Sequence, residues 1–222
     1  MTINWSRVRK GRDAANRELP PLRRLPLEDS GRSLLLKTVS KGDQILDIGA
    51  NDRNVEASLN ARGVKVDYRS FDMDRSLPHD YYDLAQVDRQ FSLILIFDVI
   101  EHLMPTDVAT LLDRVRDLLQ PGGRILVSTP NVDHPVRFWR DCTHITPFRY
   151  DELSGFLMVS GFIEIEVFRL KKMKAKDWLR YAIAQPVLRL LDIDFAPGIA
   201  VRAKLAPIEQ RVLPKSTGNT FA

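Results

Sequence analysis

Short apolar runs alternate with amphipathic stretches from about residue 43 to residue 205 of this 222-residue chain. Apolar runs of this length, bounded by Gly, Asp or Pro, predict strands, and the stretches between them predict helices. The predicted strands are residues 44–48, 64–71, 84–87, 91–97, 124–128, 162–168 and 199–205. The run at 91–97 is almost wholly apolar, which is typical of a central parallel strand covered on both faces. The alternation predicts a doubly wound α/β domain with a mostly parallel sheet.

Three helical segments have limits that can be placed from the sequence. Apolar residues from Val108 to Leu119 recur at intervals of three and one, which predicts a helix with one apolar stripe, an N-cap at Thr106 and a stop at 121–123. A second helix is predicted over 151–159, after a long loop at 129–148. A basic third helix is predicted at 177–191, interrupted by Pro186.

The length of the chain suits one sizeable core and is short for two full domains. Residues 1–25 predict a basic N-terminal helical extension that ends at Pro20-Pro21. The remainder, residues 26–222, is predicted to be a single domain. Its parts are a core at 43–170, a basic helical insertion at about 171–197, a last strand at about 198–205 and a C-terminal tail.

Basic residues concentrate at the two ends of the chain. Residues 1–25 carry seven Lys or Arg against two acids, residues 171–222 carry ten against four, and residues 26–170 carry 16 against 23. Such ends fit an anionic membrane surface, and they fit nucleic acid less well because no aromatic platform accompanies the cations. Cys142 is the only cysteine, and no apolar segment follows the basic N-terminus. We expect a cytoplasmic protein that contacts the inner face of the membrane peripherally.

Polar residues follow several of the predicted strands. They are Asp47, Gly49, Asp72, Asp98, Glu101 and His102. The carboxyl ends of parallel strands meet at one edge of the sheet, where ligands bind in such folds. A glycine there lets the backbone approach a ligand, and an acid at the next strand end can accept the hydroxyls of a ribose. The pattern therefore indicates a nucleoside-type ligand, although each signal alone is weak.

Three ordered segments carry a resemblance to a known family. They are residues 45–50 (ILDIGA), 91–103 (FSLILIFDVIEHL) and 118–131 (LLQPGGRILVSTPN), and a Gly161-Phe162 pair follows them. Together they resemble the motifs of class I S-adenosylmethionine-dependent methyltransferases, in the group that contains ubiquinone-biosynthesis and glycan O-methyltransferases. The resemblance covers roughly residues 43–170. It implies a Rossmann-like, doubly wound, mostly parallel seven-stranded sheet with an antiparallel last strand, and S-adenosylmethionine as cofactor with S-adenosylhomocysteine as product.

The same resemblance implies roles for individual residues. Asp47 and Gly49 would hold the methionine end of the cofactor, Asp72 the ribose and Asp83 the adenine amino group. Asp98 and Val99 would border the methyl group. Ala50, Asn51 and Met73 are the neighbouring cofactor contacts that we predict.

Two departures from the family pattern are visible. Asn51 and Arg53 stand where the second and third glycines of the Asp-x-Gly-x-Gly-x-Gly turn usually fall, and Arg53 is the harder of the two to accommodate. The interval 73–90 is too short for the usual second helix, so we expect an open adenine side. A dinucleotide is disfavoured because the turn lacks G-x-G-x-x-G.

Methyl transfer to a hydroxyl needs alignment of the acceptor and removal of a proton. His144 and His102 are the candidate proton acceptors, with His144 preferred because Trp139-Arg140-Asp141 beside it suggests a shaped pocket. Asp98, Glu101, His102 and His144 also resemble the metal site of small-RNA 2′-O-methyltransferases. We nevertheless expect no metal, because the Glu-His pair is also widespread in metal-free relatives.

The preferred interpretation is methyl transfer to a hydroxyl of a small molecule, glycan or lipid-linked sugar. Two alternatives stay open. One is a metal-dependent RNA 2′-O-methyltransferase, which the basic ends and the carboxylate–imidazole set favour. The other is a non-catalytic methyltransferase-like binding or assembly module, in which the altered glycine turn has lost the cofactor.

Overall fold

The structure is a computed structural model that describes residues 5–207, so most of the predicted C-terminal tail lies outside the described residues. Apolar periodicity of two and of 3.6 residues sets the alternation of strands with helices. The helices are α1 (Trp5–Glu18), α2 (Gly31–Thr38), α3 (Asn54–Ala61), α4 (Pro105–Leu118), α5 (Tyr150–Val159) and α6 (Ala175–Leu190). The strands are β1 (Leu27–Glu28), β2 (Gln44–Ile48), β3 (Asp67–Phe71), β4 (Phe91–Phe97), β5 (Leu119–Pro130), β6 (Phe162–Leu170) and β7 (Gly198–Leu205).

The seven strands form one sheet in the order β1-β6-β7-β5-β4-β2-β3. β7 runs antiparallel to both β5 and β6, and the other neighbouring strands are parallel. The fold class is confirmed: a doubly wound, mostly parallel seven-stranded sheet with an antiparallel last strand.

Apolar residues on both faces of the sheet bury it between two helical layers. Ile94 and Ile96 of β4 pack in one core with α4 and α5, whereas Leu93 and Leu95 pack in a second core with α2 and α3. All four are fully buried. The prediction that β4 is a central strand covered on both sides is confirmed.

The third predicted strand, at 84–87, is wrong. Residues Leu84–Gln86 form a 3-10 turn that Asp83 caps by accepting the N–H of Ala85 at 2.8 Å. The edge of β3 is instead covered by Asp80, whose carboxylate accepts the N–H of Ser70 at 2.9 Å. The sheet still has seven strands because the short strand β1, which was not predicted, pairs with the outer edge of β6.

Three predicted boundaries also differ from the structure. Thr106 does not cap α4, because the helix begins at Pro105 after Met104, and proline suits the first helical position. The Pro-Gly-Gly at 121–123 ends no helix: α4 stops at Leu118, and these residues belong to β5. Pro186 lies inside a continuous α6 instead of interrupting it.

The basic helix α1 packs tightly against α5 through two glycines. A Cβ at Gly155 would lie 2.5 Å from the backbone N of Arg12, and one at Gly11 would lie 2.5 Å from the carbonyl oxygen of Gly155. Only glycine permits this distance between the helix backbones. α1 is therefore fixed to the domain over its described residues. Within residues 5–207, no helix combines the length and hydropathy needed to cross a membrane.

A buried ion pair anchors the segment that follows α6. Arg169 at the end of β6 donates to Asp194 at 3.1 Å, and both side chains are almost fully buried. Asp194 also accepts the side-chain amide of Asn131 at 3.0 Å. These bonds hold the end of the insertion against the loop that follows β5, at the carboxyl edge of the parallel strands.

Candidate functional site

A cavity of about 920 Å³ opens at the carboxyl ends of β2, β4 and β5. This is the edge at which doubly wound folds bind ligands. Five of the predicted cofactor residues line it: Asp47, Gly49, Ala50, Asn51 and Asp98. The volume lies at the upper end of the range for small-molecule sites, which leaves room for a cofactor and a small acceptor together.

The turn after β2 depends on Gly49. Its φ is 77°, in the left-handed region, and a Cβ there would clash with Cγ2 of Val99. The N–H groups of Gly49 and Ala50 both donate to the carbonyl of Phe71, at 2.9 and 3.2 Å. The turn is thereby fixed to the end of β3. Val99 supports the turn from below and is not among the residues that line the cavity.

Asp72 is bound to the same turn. Its Oδ2 accepts the N–H of Asn51 at 2.9 Å, and its Oδ1 accepts the N–H of Asp74 at 3.0 Å. Asn51 itself has a φ of 44°, a conformation that asparagine tolerates better than most residues. Asp72 therefore lies beside the turn that contains Gly49. It is not among the residues that line the cavity, and its predicted ribose contact stays a prediction.

Arg53 does not obstruct the cavity, although it replaces a glycine at a φ of 56°. Its guanidinium is held on the other side of the turn by Glu56 at 2.9 Å and Asp80 at 3.5 Å, and it is not among the lining residues. The third glycine position of the family turn is therefore filled by a residue whose side chain stays outside the cavity lining.

Asp47 is buried at the base of the cavity. Burial raises the pKa of its carboxyl to about 6, even though the hydroxyl of Tyr68 donates to Oδ2 at 2.6 Å and lowers it. Burial and the neighbouring Asp47 carboxylate raise the pKa of Tyr68 as well. The Asp47–Tyr68 pair is a rigid structural base for the turn, and Arg32 adds a favourable charge from α2.

Asp98 lies at the end of β4, with a φ of 53°. Its Oδ1 accepts the hydroxyl of Ser128 at 3.0 Å, which holds the carboxylate across the ends of β4 and β5. Met73 and Asp83 are exposed and do not line the cavity. Since Asp83 is engaged as a turn cap, its predicted adenine contact stays a prediction, as does that of Met73.

Glu101, His102 and His144 form a second cluster, next to the cavity but outside its lining. Among the described residues, these three bring one ligand atom each within 4.8 Å of one another, and the two imidazole rings are 4.9 Å apart. Asp98, the fourth predicted metal ligand, is not in this set, and its Oδ1 accepts the hydroxyl of Ser128.

Glu101 is fully buried. Its Oε2 accepts the hydroxyl of Thr129 at 3.1 Å, and its Oε1 has no hydrogen-bond partner within the described part of the chain. Burial, with some repulsion from Asp98, raises the pKa of this carboxyl to about 7. A buried oxygen without a partner is rare in folded proteins, so Oε1 is available to a ligand, an ion or a water molecule.

The two histidines have similar hydrogen bonds. Nδ1 of His144 lies 2.7 Å from the carbonyl oxygen of Phe138, and Nδ1 of His102 lies 3.2 Å from that of Thr143. A carbonyl oxygen can only accept, so Nδ1 carries the proton in each ring and Nε2 keeps its lone pair. Both imidazoles can therefore accept a proton or bind a metal ion through Nε2.

Several residues of the cavity lining were not predicted from the sequence, among them Arg32, His134 and Arg137, and Arg140 was noted only as part of the run beside His144. Arg32 is on α2, which begins at a Ser30 N-cap, a signal that could have been recognised. His134 accepts the N–H of Arg137 on Nδ1 at 3.2 Å, which leaves Nε2 protonated in the neutral ring. Burial and the nearby Lys171 lower the pKa of His134, so it is a neutral hydrogen-bond donor at neutral pH.

Comparisons with known proteins identify the family of the chain. A family model described as "Methyltransferase domain" matches residues 19–166, more than half of the chain. The ubiquinone biosynthesis O-methyltransferase of Cereibacter sphaeroides is 31% identical over 105 residues, which are 46% of this chain and 38% of that protein. The chain thus aligns with well under half of that relative's length.

Solved structures share the fold. A SAM-dependent methyltransferase from Archaeoglobus fulgidus is 18% identical with a TM-score of 0.63, covering 78% of this chain and 92% of that one. The 1,6-didemethyltoxoflavin-N1-methyltransferase of Burkholderia thailandensis, bound to S-adenosylhomocysteine, is 17% identical with a TM-score of 0.54, covering 91% and 85%. The chain belongs to the methyltransferase domain family.

Proposed function

We propose that the protein transfers the methyl group of S-adenosylmethionine to a hydroxyl oxygen of a small molecule, glycan or lipid-linked sugar. The supporting observation is the single cavity that joins the Gly49 turn to Asp98 and to the loop after β5. S-adenosylmethionine supplies a methyl group already activated on a sulfonium. The chain must therefore bind it, align the acceptor and remove a proton.

The residues of the turn fit the cofactor. Asp72 is held beside Asn51 and keeps lone pairs on both oxygens for ribose hydroxyls. The backbone of Gly49 and Ala50 lines the cavity where a methionine chain would lie. Arg32 and Arg53 both act on the charge of Asp47, and of the two only Arg32 lines the cavity, so we assign Arg32 to the methionine carboxylate. Asp98 borders the methyl group and favours the positive sulfonium.

His144 is the proposed proton acceptor. Its Nδ1–H is bound to Phe138, in the same short turn as the cavity-lining Arg140. Its Nε2, 3.9 Å from Oδ2 of Asp141, has no hydrogen bond within the described residues and can take a proton. The neighbouring Glu101 carboxylate stabilises the imidazolium that forms. His102, at 4.9 Å between ring centroids, supports His144 in this assignment.

Calorimetry with S-adenosylmethionine and S-adenosylhomocysteine tests the cofactor assignment. We expect Asp72→Ala to weaken both affinities roughly 10- to 100-fold, because hydrogen bonds to a charged carboxylate contribute about 1.5–3 kcal/mol. Asp88→Ala is the control, since Asp88 is an exposed acid just before the start of β4, whereas the cavity lies at the carboxyl end of that strand. If the wild-type protein binds neither ligand, the non-catalytic alternative is the correct one.

One observation favours the metal-dependent RNA alternative: the set of Glu101, His102 and His144, with a free Oε1 and two free Nε2 atoms. We expect turnover to be unchanged after EDTA treatment, because a proton acceptor needs no ion. If EDTA abolishes turnover and Mg²⁺ or Mn²⁺ restores it, these residues bind a metal ion and are not the proton acceptors. Structured RNA as acceptor is then the next substrate to assay.

We also propose that α6 contacts an anionic membrane surface beside the cavity. None of its residues is buried, and Leu179, Ile183, Val187 and Leu190 are between 55% and 83% exposed at helical spacing. Lys176 and Arg180 lie on the same side of the helix. The insertion lies between Leu170, the last residue of β6, and Gly198, the first residue of β7, and both residues line the cavity. A lipid-linked acceptor at α6 would therefore be close to the site.

Flotation with liposomes tests this contact. The wild-type protein is expected to float with vesicles that contain phosphatidylglycerol and not with pure phosphatidylcholine, because apolar burial and cation attraction act together. Leu179→Glu with Ile183→Glu should abolish flotation, whereas Met104→Glu, which changes an exposed apolar residue outside α6, should not. Absence of wild-type binding at low salt ends the membrane proposal.

A further inference from the structure

The loop after β5 places two arginines on the same wall of the cavity. Arg137 precedes the 3-10 turn Phe138–Arg140, and Arg140 ends it. Side chains three residues apart lie on the same side of such a turn. Phe138 between them is buried and fixes the turn to the domain, so that Arg137 and Arg140 both reach the cavity.

Neither guanidinium has a hydrogen bond or an ion pair within residues 5–207, whereas arginines nearby do. Arg149 is 3.2 Å from Asp133, and Arg169 is 3.1 Å from Asp194. The acid adjacent to Arg140 is Asp141, whose Oδ1 is taken by the N–H and hydroxyl of Thr143 at 2.9 and 2.6 Å. Two cations are therefore left unpaired on the wall of a binding cavity.

The cofactor does not account for these two charges. Its one carboxylate belongs at the turn after β2, where Arg32 acts on Asp47, whereas the charge of Arg137 acts on His134 in the loop after β5. The two groups of cations therefore serve different parts of the cavity. His134 adds an Nε2–H donor beside Arg137, since its Nδ1 is occupied by backbone N–H groups.

We propose that Arg137 and Arg140 bind an oxyanion of the methyl acceptor, a phosphate or a carboxylate; this rests on the proposed methyltransferase function. Guanidinium groups bind both anions through paired N–H donors. Asp98 lines the same cavity and repels an anion. The acceptor is thereby oriented with its charged end at the arginines and its nucleophile toward Asp98 and the methyl group.

The test uses three probes of similar size: phenyl phosphate, benzoate and benzyl alcohol. Each is titrated by NMR against the wild-type protein saturated with S-adenosylhomocysteine and against the cofactor-free protein. We expect phenyl phosphate or benzoate to bind at least roughly tenfold more tightly than benzyl alcohol, and added salt to weaken the difference. The anion that binds more tightly identifies the acceptor as a phosphate or a carboxylate.

Arg137→Gln with Arg140→Gln should remove the preference for the anion and leave the affinity for S-adenosylhomocysteine within about twofold. Arg17→Gln, which changes an exposed arginine on α1, should change neither. Equal binding of the three probes to the wild-type protein, or an anion preference that survives in the double variant, overturns the proposal. Failure of S-adenosylhomocysteine to bind is a separate result that concerns the methyltransferase assignment itself.

Discussion

We expect His144→Gln to lower kcat roughly 100- to 10,000-fold, which is the usual contribution of a positioned proton acceptor. Nδ1 of His144 is bound to Phe138, in the turn that also carries Arg140. Its Nε2 makes no hydrogen bond within the described residues and lies 3.9 Å from Oδ2 of Asp141, with Glu101 close by. Glutamine keeps a hydrogen-bonding group of similar reach but cannot take the proton. The affinity for S-adenosylhomocysteine should stay within about twofold, because His144 does not line the cavity.

The split between turnover and binding separates a chemical role from a structural one: kcat should fall in His144→Gln while the affinity for S-adenosylhomocysteine is kept. His79→Gln is the control because it removes an imidazole that belongs neither to the cavity lining nor to the cluster of Glu101, His102 and His144. A decrease of less than threefold in His144→Gln, or an equal decrease in the His79 variant, would remove His144 from the mechanism. A larger decrease in His102→Gln would transfer the role to His102.

The parts of the fold that local pattern determines were predictable. β2 and β4 were placed at their observed limits because an apolar run bounded by polar residues specifies a buried parallel strand. The prediction of a strand at 84–87 was wrong because Asp83 caps a 3-10 turn there and Asp80 accepts the N–H of Ser70 at the edge of β3. The local apolar pattern contains neither of these contacts. β1 has only two residues, too few for any periodicity.

The site divides in the same way. The turn at Gly49 and the strand-end acids lie within contiguous motifs, and the structure brings Gly49, Asn51 and Asp72 together. Arg137 gave no motif, and Arg140 was noted only as part of the run beside His144. Within residues 5–207 neither guanidinium has a hydrogen-bond or ion-pair partner, and only the folded chain reveals this. Arg53 was expected to threaten the cofactor site. Its acidic partners Glu56 and Asp80, one of them 27 positions away, hold it outside the cavity.

Gly49→Ala should reduce the affinity for S-adenosylmethionine and S-adenosylhomocysteine by more than roughly 100-fold, a cost of about 3 kcal/mol. Two penalties act at this position. A φ of 77° disfavours any side chain, and the added methyl group would clash with Cγ2 of Val99 beneath the turn. Relief of the clash moves the backbone of Ala50 and Asn51, and Asn51 is the residue that holds Asp72 in place.

Two further variants separate these penalties. Gly63→Ala has a similar φ of 67° but nothing within 4 Å of the new Cβ, so it should cost about 1–2 kcal/mol of stability and leave the affinity unchanged. Gly49→Ala with Val99→Ala removes the clashing methyl group and should recover part of the affinity. Calorimetry measures each affinity and thermal denaturation each stability. Wild-type affinity in Gly49→Ala would show that the cofactor lies elsewhere than against this turn.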